Sequence, residues 1–199
     1  MRRRVSAAQR RELIMAAATE LIAQHGYSGA TVRAVARAAG VTPPVIYDHF
    51  ASKEGLQIAL LESAGDQLIA AVTQEFEVTS AEEFLRASVD AFFAFVEEHP
   101  HAWRMLFRDA PPGEQVAAAH QRVMDRAAAA LVGLFTLTPR WRTSARLRRA
   151  DQVAALAAGT RSAMNGLAGW WWEHRDVPRR QVVALAMDLL WTGLERLRA

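Results

Sequence analysis

The chain has 199 residues, 51% of them hydrophobic, and a formal net charge of +3, which suits a medium domain with a small accessory one. It contains no cysteine, and this excludes disulfides, thiolate metal sites and cysteine nucleophiles. No apolar run approaches the roughly 20 residues that span a bilayer and no signal peptide follows the N-terminal arginines, so we expect a cytoplasmic protein without a membrane partner.

Positive charge concentrates at the N-terminal end. Residues 1–57 carry eight Lys or Arg against four acids, whereas the remainder carries 16 basic and 17 acidic residues. This asymmetry predicts that the N-terminal end meets a polyanion; ordinary solvated charge is the alternative. Arg2, Arg3 and Arg4 precede the first helix and predict an arm that enters the minor groove, or else a basic tail without a defined contact.

Helical periodicity predicts an all-α protein of about nine helices. The first begins at a capping box on Ser6 and ends at Gly26, which we expect in the left-handed conformation. A short second helix runs from its cap Thr31 to Gly40, and a third starts near Thr42. The buried face of the first helix is predicted to carry two apolar rows, Leu13, Ala17, Leu21 and Ile14, Ala18, Ile22. Around the third helix, Val41, Ile46 and Phe50 are assigned to the hydrophobic core.

The fourth helix is predicted from Lys53 to about Phe76. Five more helices are expected at 81–98, 101–108, 114–137, 147–173 and 179–197. Proline-containing segments separate them, because proline starts or ends helices rather than continuing them.

Two short helices joined by a glycine-containing turn, after a longer helix in a basic segment, are typical of a helix-turn-helix. Residues 31–42 read TVRAVARAAGVT and residues 46–56 read IYDHFASKEGL. The Ala-Gly turn, the Tyr-x-His-Phe end and the Ser-Lys-Glu start of the next helix closely resemble the N-terminal domain of the tetracycline-repressor (TetR) family. The motif resemblance covers residues 8–57, and beyond them only the layout is similar.

The resemblance implies a homodimeric regulator whose C-terminal domain binds a small molecule that releases operator DNA. We therefore expect a helix-turn-helix domain at 1–57 and a helical ligand-binding and dimerisation domain at 58–199, acting as a ligand-responsive repressor on a pseudo-palindromic operator. An activator or architectural dimer without effector is the alternative. A helical enzyme using His120, Asp125 or Glu173 on an apolar substrate is a distant one; we expect no catalytic residue, cofactor or metal.

The residues expected at DNA lie on the two short helices and just after them. The N-terminal end of the third helix must meet base edges while nearby groups hold phosphates. Matching positions in the family place Tyr47, His49 and Lys53 at phosphates, and Thr31 and Arg33 are placed for a phosphate by the helix dipole. The full predicted set is Thr31, Arg33, Thr42, Pro43, Pro44, Val45, Tyr47, His49 and Lys53. Capping by Thr42, packing by Tyr47 and plain solvation of His49 and Lys53 are the alternatives.

One departure from the family pattern concerns Pro43 and Pro44, where members often carry a polar or basic residue and then glycine. Because proline disfavours a helical residue before it, we expect the third helix to start one residue late. Prolines offer no hydrogen bonds to bases, so their predicted contribution is apolar contact with thymine methyl groups.

The C-terminal body carries wide apolar faces and many aromatic residues. A largely apolar effector pocket is predicted with the residues Phe92, Trp103, Phe107, His120, Arg161 and Asn165, a packed aromatic core being the alternative. The resemblance to the TetR family implies that the last two helices pair with their copies in a dimer interface, predicted with Leu156, Met164, Leu167, Leu190, Gly193 and Leu194; burial within one subunit is the alternative.

Overall fold

The computed structural model describes residues 6–137 and 146–197. These residues form nine α-helices and no strand, which confirms the all-α prediction. The helices are α1 Ala7–Gly29, α2 Val32–Ala38, α3 Pro43–His49, α4 Lys53–Thr73, α5 Ala81–Glu98, α6 Pro100–Phe107, α7 Gly113–Thr136, α8 Arg149–Glu173 and α9 Arg179–Leu197. In the same residues no helix is long and apolar enough to cross a bilayer.

Local signals at the helix ends are observed largely as predicted. The Ser6 hydroxyl accepts a hydrogen bond from the Gln9 amide at 3.1 Å, and the Gln9 side chain accepts from the Ser6 amide at 3.0 Å, which is a complete capping box. Thr31 caps α2 through the Ala34 amide at 3.2 Å. Gly40 ends the turn after α2 with a φ of 66°, a backbone conformation that glycine adopts without a steric penalty.

The end of α1 differs from the prediction. Gly26 has the expected positive φ of 68°, but its ψ of 177° is extended, so it bends the helix instead of capping it. A further turn follows up to Gly29, and the Ala30 amide donates to the Gly26 carbonyl oxygen at 3.4 Å. A left-handed cap would have ended the helix, whereas this kink redirects it.

The late start expected for α3 is wrong. Thr42 is the N-cap, with extended backbone angles of φ −95° and ψ 155°, and Pro43 is the first helical residue. The residue before a proline favours this extended region, and the first positions of a helix need no amide donor. The two prolines therefore occupy the one part of a helix where neither lost N–H breaks a bond.

The described residues divide into two compact units, one formed by residues 1–64 with 101–123 and the other by 65–100 with 124–199. In the first unit α2 packs on α1 and on α3. The α1 row that is buried is Ile14, Ala18 and Ile22, while Leu13 is 51% exposed, so only one of the two predicted rows faces the core. Ile46 and Phe50 are buried as predicted and Val41 is half-buried.

The second unit is built on α5 and α9. Arg179, the first residue of α9, reaches Asp90 at 3.1 Å and Glu97 at 2.9 Å on α5. The Phe93 ring meets the Trp171 ring of α8 edge to face, with centroids 5.7 Å apart. Ion pairs thus hold the start of α9 to α5, and aromatic packing joins α5 to α8 in the interior of this unit.

Tyr27, in the last turn of α1, is buried, and its hydroxyl has no hydrogen-bond partner in the part of the first unit that is described. Burial first, and the negative charge of Asp109 second, raise the pKa of Tyr27 to about 12. Burying an unpaired hydroxyl costs free energy on the order of 1–3 kcal/mol.

Tyr27→Phe is expected to be as stable as the wild type or about 1 kcal/mol more stable at neutral pH, because it removes that unpaired hydroxyl. Above a pH of about 10 the unfolded tyrosine loses a proton that the folded chain retains up to a pH of about 12, so wild-type stability falls across this window and the variant's advantage grows. Urea unfolding at neutral and alkaline pH measures both effects. Tyr47→Phe, at the only other tyrosine, is the control for neutral pH; a variant clearly less stable than the wild type contradicts the buried-hydroxyl account.

Candidate nucleic-acid interface

The first turn of α3 exposes side chains rather than backbone donors. Pro43 and Pro44 have no N–H, and the Val45 amide donates to the Thr42 carbonyl oxygen at 3.0 Å. The Thr42 hydroxyl makes no capping hydrogen bond and is exposed. In the segment 42–45 this hydroxyl is the only side-chain group that can hydrogen-bond. Because it does not bond to the backbone of α3, Thr42 differs from a threonine whose side chain caps its helix.

One side of α3 is buried and the other is exposed. Ile46 and Phe50 are nearly inaccessible to solvent, whereas Tyr47 is 52% exposed and Pro44 is exposed as well. The half-buried residues Pro43 and Val45 lie at the edge between the two sides. The exposed residues are therefore a threonine, a proline, a tyrosine and the acidic Asp48.

The start of α4 lies next to this side along the chain. The Ser52 hydroxyl accepts from the Gly55 amide at 3.0 Å and so caps α4, in which Lys53 is the first residue. Hydrogen bonds from its own amide and with Ser52 hold the pKa of Glu54 below its usual range, with a smaller contribution from Lys53. His49 is half-buried beside Phe50, at a ring-centroid distance of 6.4 Å.

The α2 residues predicted at phosphates are exposed. Thr31 uses its hydroxyl for the cap, and Arg33 lies in the first turn. The α2 sequence VRAVARA contains no acidic residue that would oppose an anion at this end. Arg2, Arg3 and Arg4, the predicted minor-groove arm, lie outside the described residues.

The sequence did not predict that Arg11 supports α3. Its guanidinium carbon lies 5.0 Å from the centroid of the Phe50 ring, a cation–π contact between residues 39 positions apart. Within the sequence Arg11 is one basic residue among several, and no local spacing connects it to Phe50. The contact covers the ring that anchors the end of α3.

The six residues predicted for the effector pocket belong half to one unit and half to the other. In the first unit Trp103 is buried, Phe107 is half-buried, and His120 Nε2 lies 2.8 Å from the Leu106 carbonyl oxygen. That oxygen can only accept, so the Nε2–H of His120 donates to it. The second unit contains the other three: Phe92 is buried, and the half-buried Asn165 donates its amide to the Arg161 carbonyl oxygen at 3.0 Å.

The residues predicted at a dimer interface differ in their exposure. Met164, Leu190 and Leu194 are buried within the chain itself. Leu156 and Leu167 are half-buried, and Gly193 is exposed. A Cβ atom added at Gly193 would meet nothing within 4 Å.

Among residues 6–137 and 146–197, no three His, Asp or Glu side chains come together in a group that could hold a metal ion. The two histidines that are closest in sequence, His99 and His101, lie on different elements, His99 at the C-cap of α5 and His101 within α6. His101 Nε2 lies 3.8 Å from Glu20 of α1.

Comparison with known proteins places both halves of the chain in one family. Residues 14–60 match the family model for bacterial regulatory proteins of the tetR family, and residues 81–193 match the model for the tetracyclin repressor-like C-terminal domain. The chain is 31% identical over 188 residues to the HTH-type transcriptional activator FasR of Mycolicibacterium smegmatis, an alignment that covers 94% of this chain and 83% of the relative.

Two similar solved structures support the fold. The fatty acid degradation regulator FadR from Bacillus halodurans is 22% identical with a TM-score of 0.78, covering 92% of this chain and 98% of its own. The transcriptional regulator FadR from Bacillus subtilis, solved in complex with stearoyl-CoA, is 20% identical with a TM-score of 0.74, covering 92% and 97%.

TetR-family proteins bind operator DNA as dimers and bind small ligands. The helix-turn-helix geometry, the two matching family models and the FasR similarity lead to one conclusion: the chain belongs to the TetR family of DNA-binding, ligand-responsive transcription regulators.

Proposed function

We propose that the chain is a homodimeric repressor that binds a pseudo-palindromic operator and is released from it by a long-chain fatty acyl effector. The observation that supports its DNA-binding role best is the two-sided α3, in which Ile46 and Phe50 are buried and Thr42, Pro44 and Tyr47 are exposed. Two such helices, one from each subunit, would enter successive major grooves.

The proposed recognition divides into phosphate positioning and base reading. Phosphates are held by exposed and half-exposed side chains around α3, listed here in full: Thr31, Arg33, Tyr47, His49 and Lys53. Bases meet the Thr42 hydroxyl and the apolar surfaces of Pro43, Pro44 and Val45. Because the prolines remove two backbone donors, this interface depends on side chains and on thymine methyl contacts more than a helix with free amides would.

Tyr47→Ala and Lys53→Ala are each expected to weaken binding to an operator selected from random DNA by about tenfold, since a lost phosphate contact is worth roughly 1 kcal/mol or somewhat more. Lys53→Ala should also lower the slope of log affinity against log salt by about one per subunit, because one cation fewer displaces counterions. Arg180→Ala, at an exposed cation of α9, is the control and should change neither quantity. Wild-type affinity in both variants would show that this side of α3 does not face DNA.

The proposed dimer interface is the outer face of α8 and α9. On α8 the exposed residues Gly159, Ser162, Gly166 and Trp170 follow helical spacing. Added Cβ atoms at Gly159 and Gly166 would meet nothing within 4 Å, so a second helix could approach closely there.

On α9 the exposed row is Leu185, Leu189 and Gly193, four residues apart, with Leu189 58% exposed. A second copy would cover this apolar row through the same surface, as an isologous dimer requires. The buried residues Met164, Leu190 and Leu194 then support the interface from inside, and Leu156 and Leu167 lie at half-buried positions of α8.

Leu189→Glu is expected to convert the dimer to a monomer at micromolar concentration, because it would bury two unpaired carboxylates in the proposed interface. Sedimentation velocity measures the mass of the species in solution. Leu13→Glu is the matched control, since Leu13 is a comparably exposed leucine of α1. A Leu189→Glu variant that remains dimeric would exclude this face.

The proposed effector class rests on the FadR relatives, one of which is solved with stearoyl-CoA and another described as a fatty acid degradation regulator. The buried aromatic side chains of the second unit include Phe92, Phe93 and Trp171, and our proposed set there is Phe92 with the polar residues Arg161 and Asn165 of α8. The sequence also predicts Trp103, Phe107 and His120 for an effector pocket, and these three lie in the first unit. An effector releases DNA only if it binds the conformation that does not bind DNA more tightly.

The FasR relative favours a second candidate, an activator, because that protein is named a transcriptional activator. DNA and effector binding would be the same in both cases. Only the effect of the bound protein on transcription distinguishes them.

Stearoyl-CoA at micromolar concentration is expected to dissociate the complex with the selected operator, whereas acetyl-CoA should not, because the short acyl chain buries far less apolar surface. Fluorescence anisotropy of labelled operator measures release. Transcription in vitro from a promoter carrying the operator then distinguishes a repressor from an activator. If long-chain and short-chain thioesters both leave the complex intact, the fatty acyl proposal is wrong.

A further inference from the structure

The junction of α7 and α8 exposes leucine and arginine side chains together. Leu137, directly after α7, is 72% exposed, and Leu147, just before α8, is 49% exposed. Arg146, Arg148 and Arg149 are exposed beside Leu147 in the chain. We call the set Leu137, Arg146, Leu147, Arg148 and Arg149 the basic end of the second unit; residues 138–145 are no part of it.

The described contacts hold the two parts of the basic end together. The Arg149 guanidinium donates to the Thr136 carbonyl oxygen at 3.4 Å, which links the start of α8 to the end of α7. Leu137 follows Thr136 directly, and Leu147 comes two residues before Arg149. Both exposed leucines are therefore carried at the same end of the α7–α8 pair.

The charge of this end is strongly positive. The basic end contains three arginines and no aspartate or glutamate, and the first acid after it is Asp151. Arg148 is bonded to Asp151 at 2.8 Å, so even with this carboxylate included the arginines outnumber the acids. The net charge of the basic end therefore remains positive and complements an anionic partner.

The combination of residues distinguishes between anionic partners. A nucleic acid or a soluble phosphate compound would satisfy the arginines but would leave both leucines in water. The surface of an anionic bilayer satisfies both groups, because lipid phosphates meet the guanidinium groups and the acyl boundary accepts apolar side chains. Attachment of this kind needs no spanning helix, so it agrees with the absence of one among the described residues.

We propose that the basic end binds the surface of anionic phospholipid bilayers, with the arginines at lipid phosphates and Leu137 and Leu147 in the interface. The inference does not depend on the identity of the effector. It departs from the expectation of a protein without a membrane partner, which followed from the lack of an apolar run long enough to span a bilayer.

The test is co-sedimentation of the full chain with vesicles of phosphatidylglycerol and phosphatidylcholine, and with vesicles of phosphatidylcholine alone. Arg146→Gln with Arg149→Gln removes two charges and leaves the Arg148–Asp151 pair intact; Arg122→Gln with Arg180→Gln is the charge-matched control at exposed positions. Leu147→Ser is matched by Leu13→Ser, at an equally exposed leucine of α1.

We expect wild-type binding to the anionic vesicles only, and partitioning about tenfold or more weaker for the basic-end double variant, since each cation near an anionic surface contributes on the order of 1 kcal/mol. Leu147→Ser should weaken partitioning severalfold. Both controls should bind vesicles as the wild type does, and all basic-end variants should keep wild-type operator affinity and thermal midpoint.

Three results would overturn the proposal. Equal vesicle binding by the double variant and the wild type would exclude the surface. Loss of operator affinity in the double variant, with a smaller salt slope, would assign the arginines to DNA instead. If Leu147→Ser binds vesicles as the wild type does, or if millimolar coenzyme A displaces the wild type from vesicles, the basic end binds phosphate groups and does not require a bilayer.

Discussion

A helix of seven residues is not stable by itself in water, because nucleating a helix costs more than so few hydrogen bonds return. The proposed reading helix α3 therefore depends on the burial of Ile46 and Phe50, which hold one side of it against the rest of the first unit. Arg11 covers the Phe50 ring from α1, 5.0 Å from its centroid. Since one side of α3 is held in this way, the identity of the residues on the opposite side follows, and Thr42, Pro44, Tyr47 and Asp48 are the ones exposed.

The same constraint explains how this chain accepts two prolines in its reading helix. Pro43 and Pro44 occupy the first two helical positions, where no intrahelical amide bond is lost, so α3 keeps the length and direction that its core residues require. The chemical consequence concerns recognition. The first turn of α3 offers one hydroxyl and apolar surface in place of backbone donors, and in the complex that we propose this favours contact with thymine methyl groups.

The second unit shows how one helix pair serves two surfaces. The inner sides of α8 and α9 are buried, and Arg179 holds the start of α9 to Asp90 and Glu97 of α5. Their outer sides keep Gly159, Gly166 and the Leu185–Leu189 row available for a second copy. The exposed arginines Arg146, Arg148 and Arg149 lie at the N-terminal end of α8 and belong to neither its inner nor its outer side.

The sequence by itself determined which residues form helices, where most helices begin and end, and to which family the chain belongs. Those properties depend on neighbours within about four positions, such as the Ser6–Gln9 box, the Thr31 cap and the glycine at position 40. The structure alone decided which of two equally apolar rows is buried, Ile14 rather than Leu13 and Leu190 rather than Leu189. It also decided that Arg11 meets Phe50. These outcomes depend on the position of elements distant in the sequence, and the spacing of residues within one helix carries no information about the helix that will pack against it.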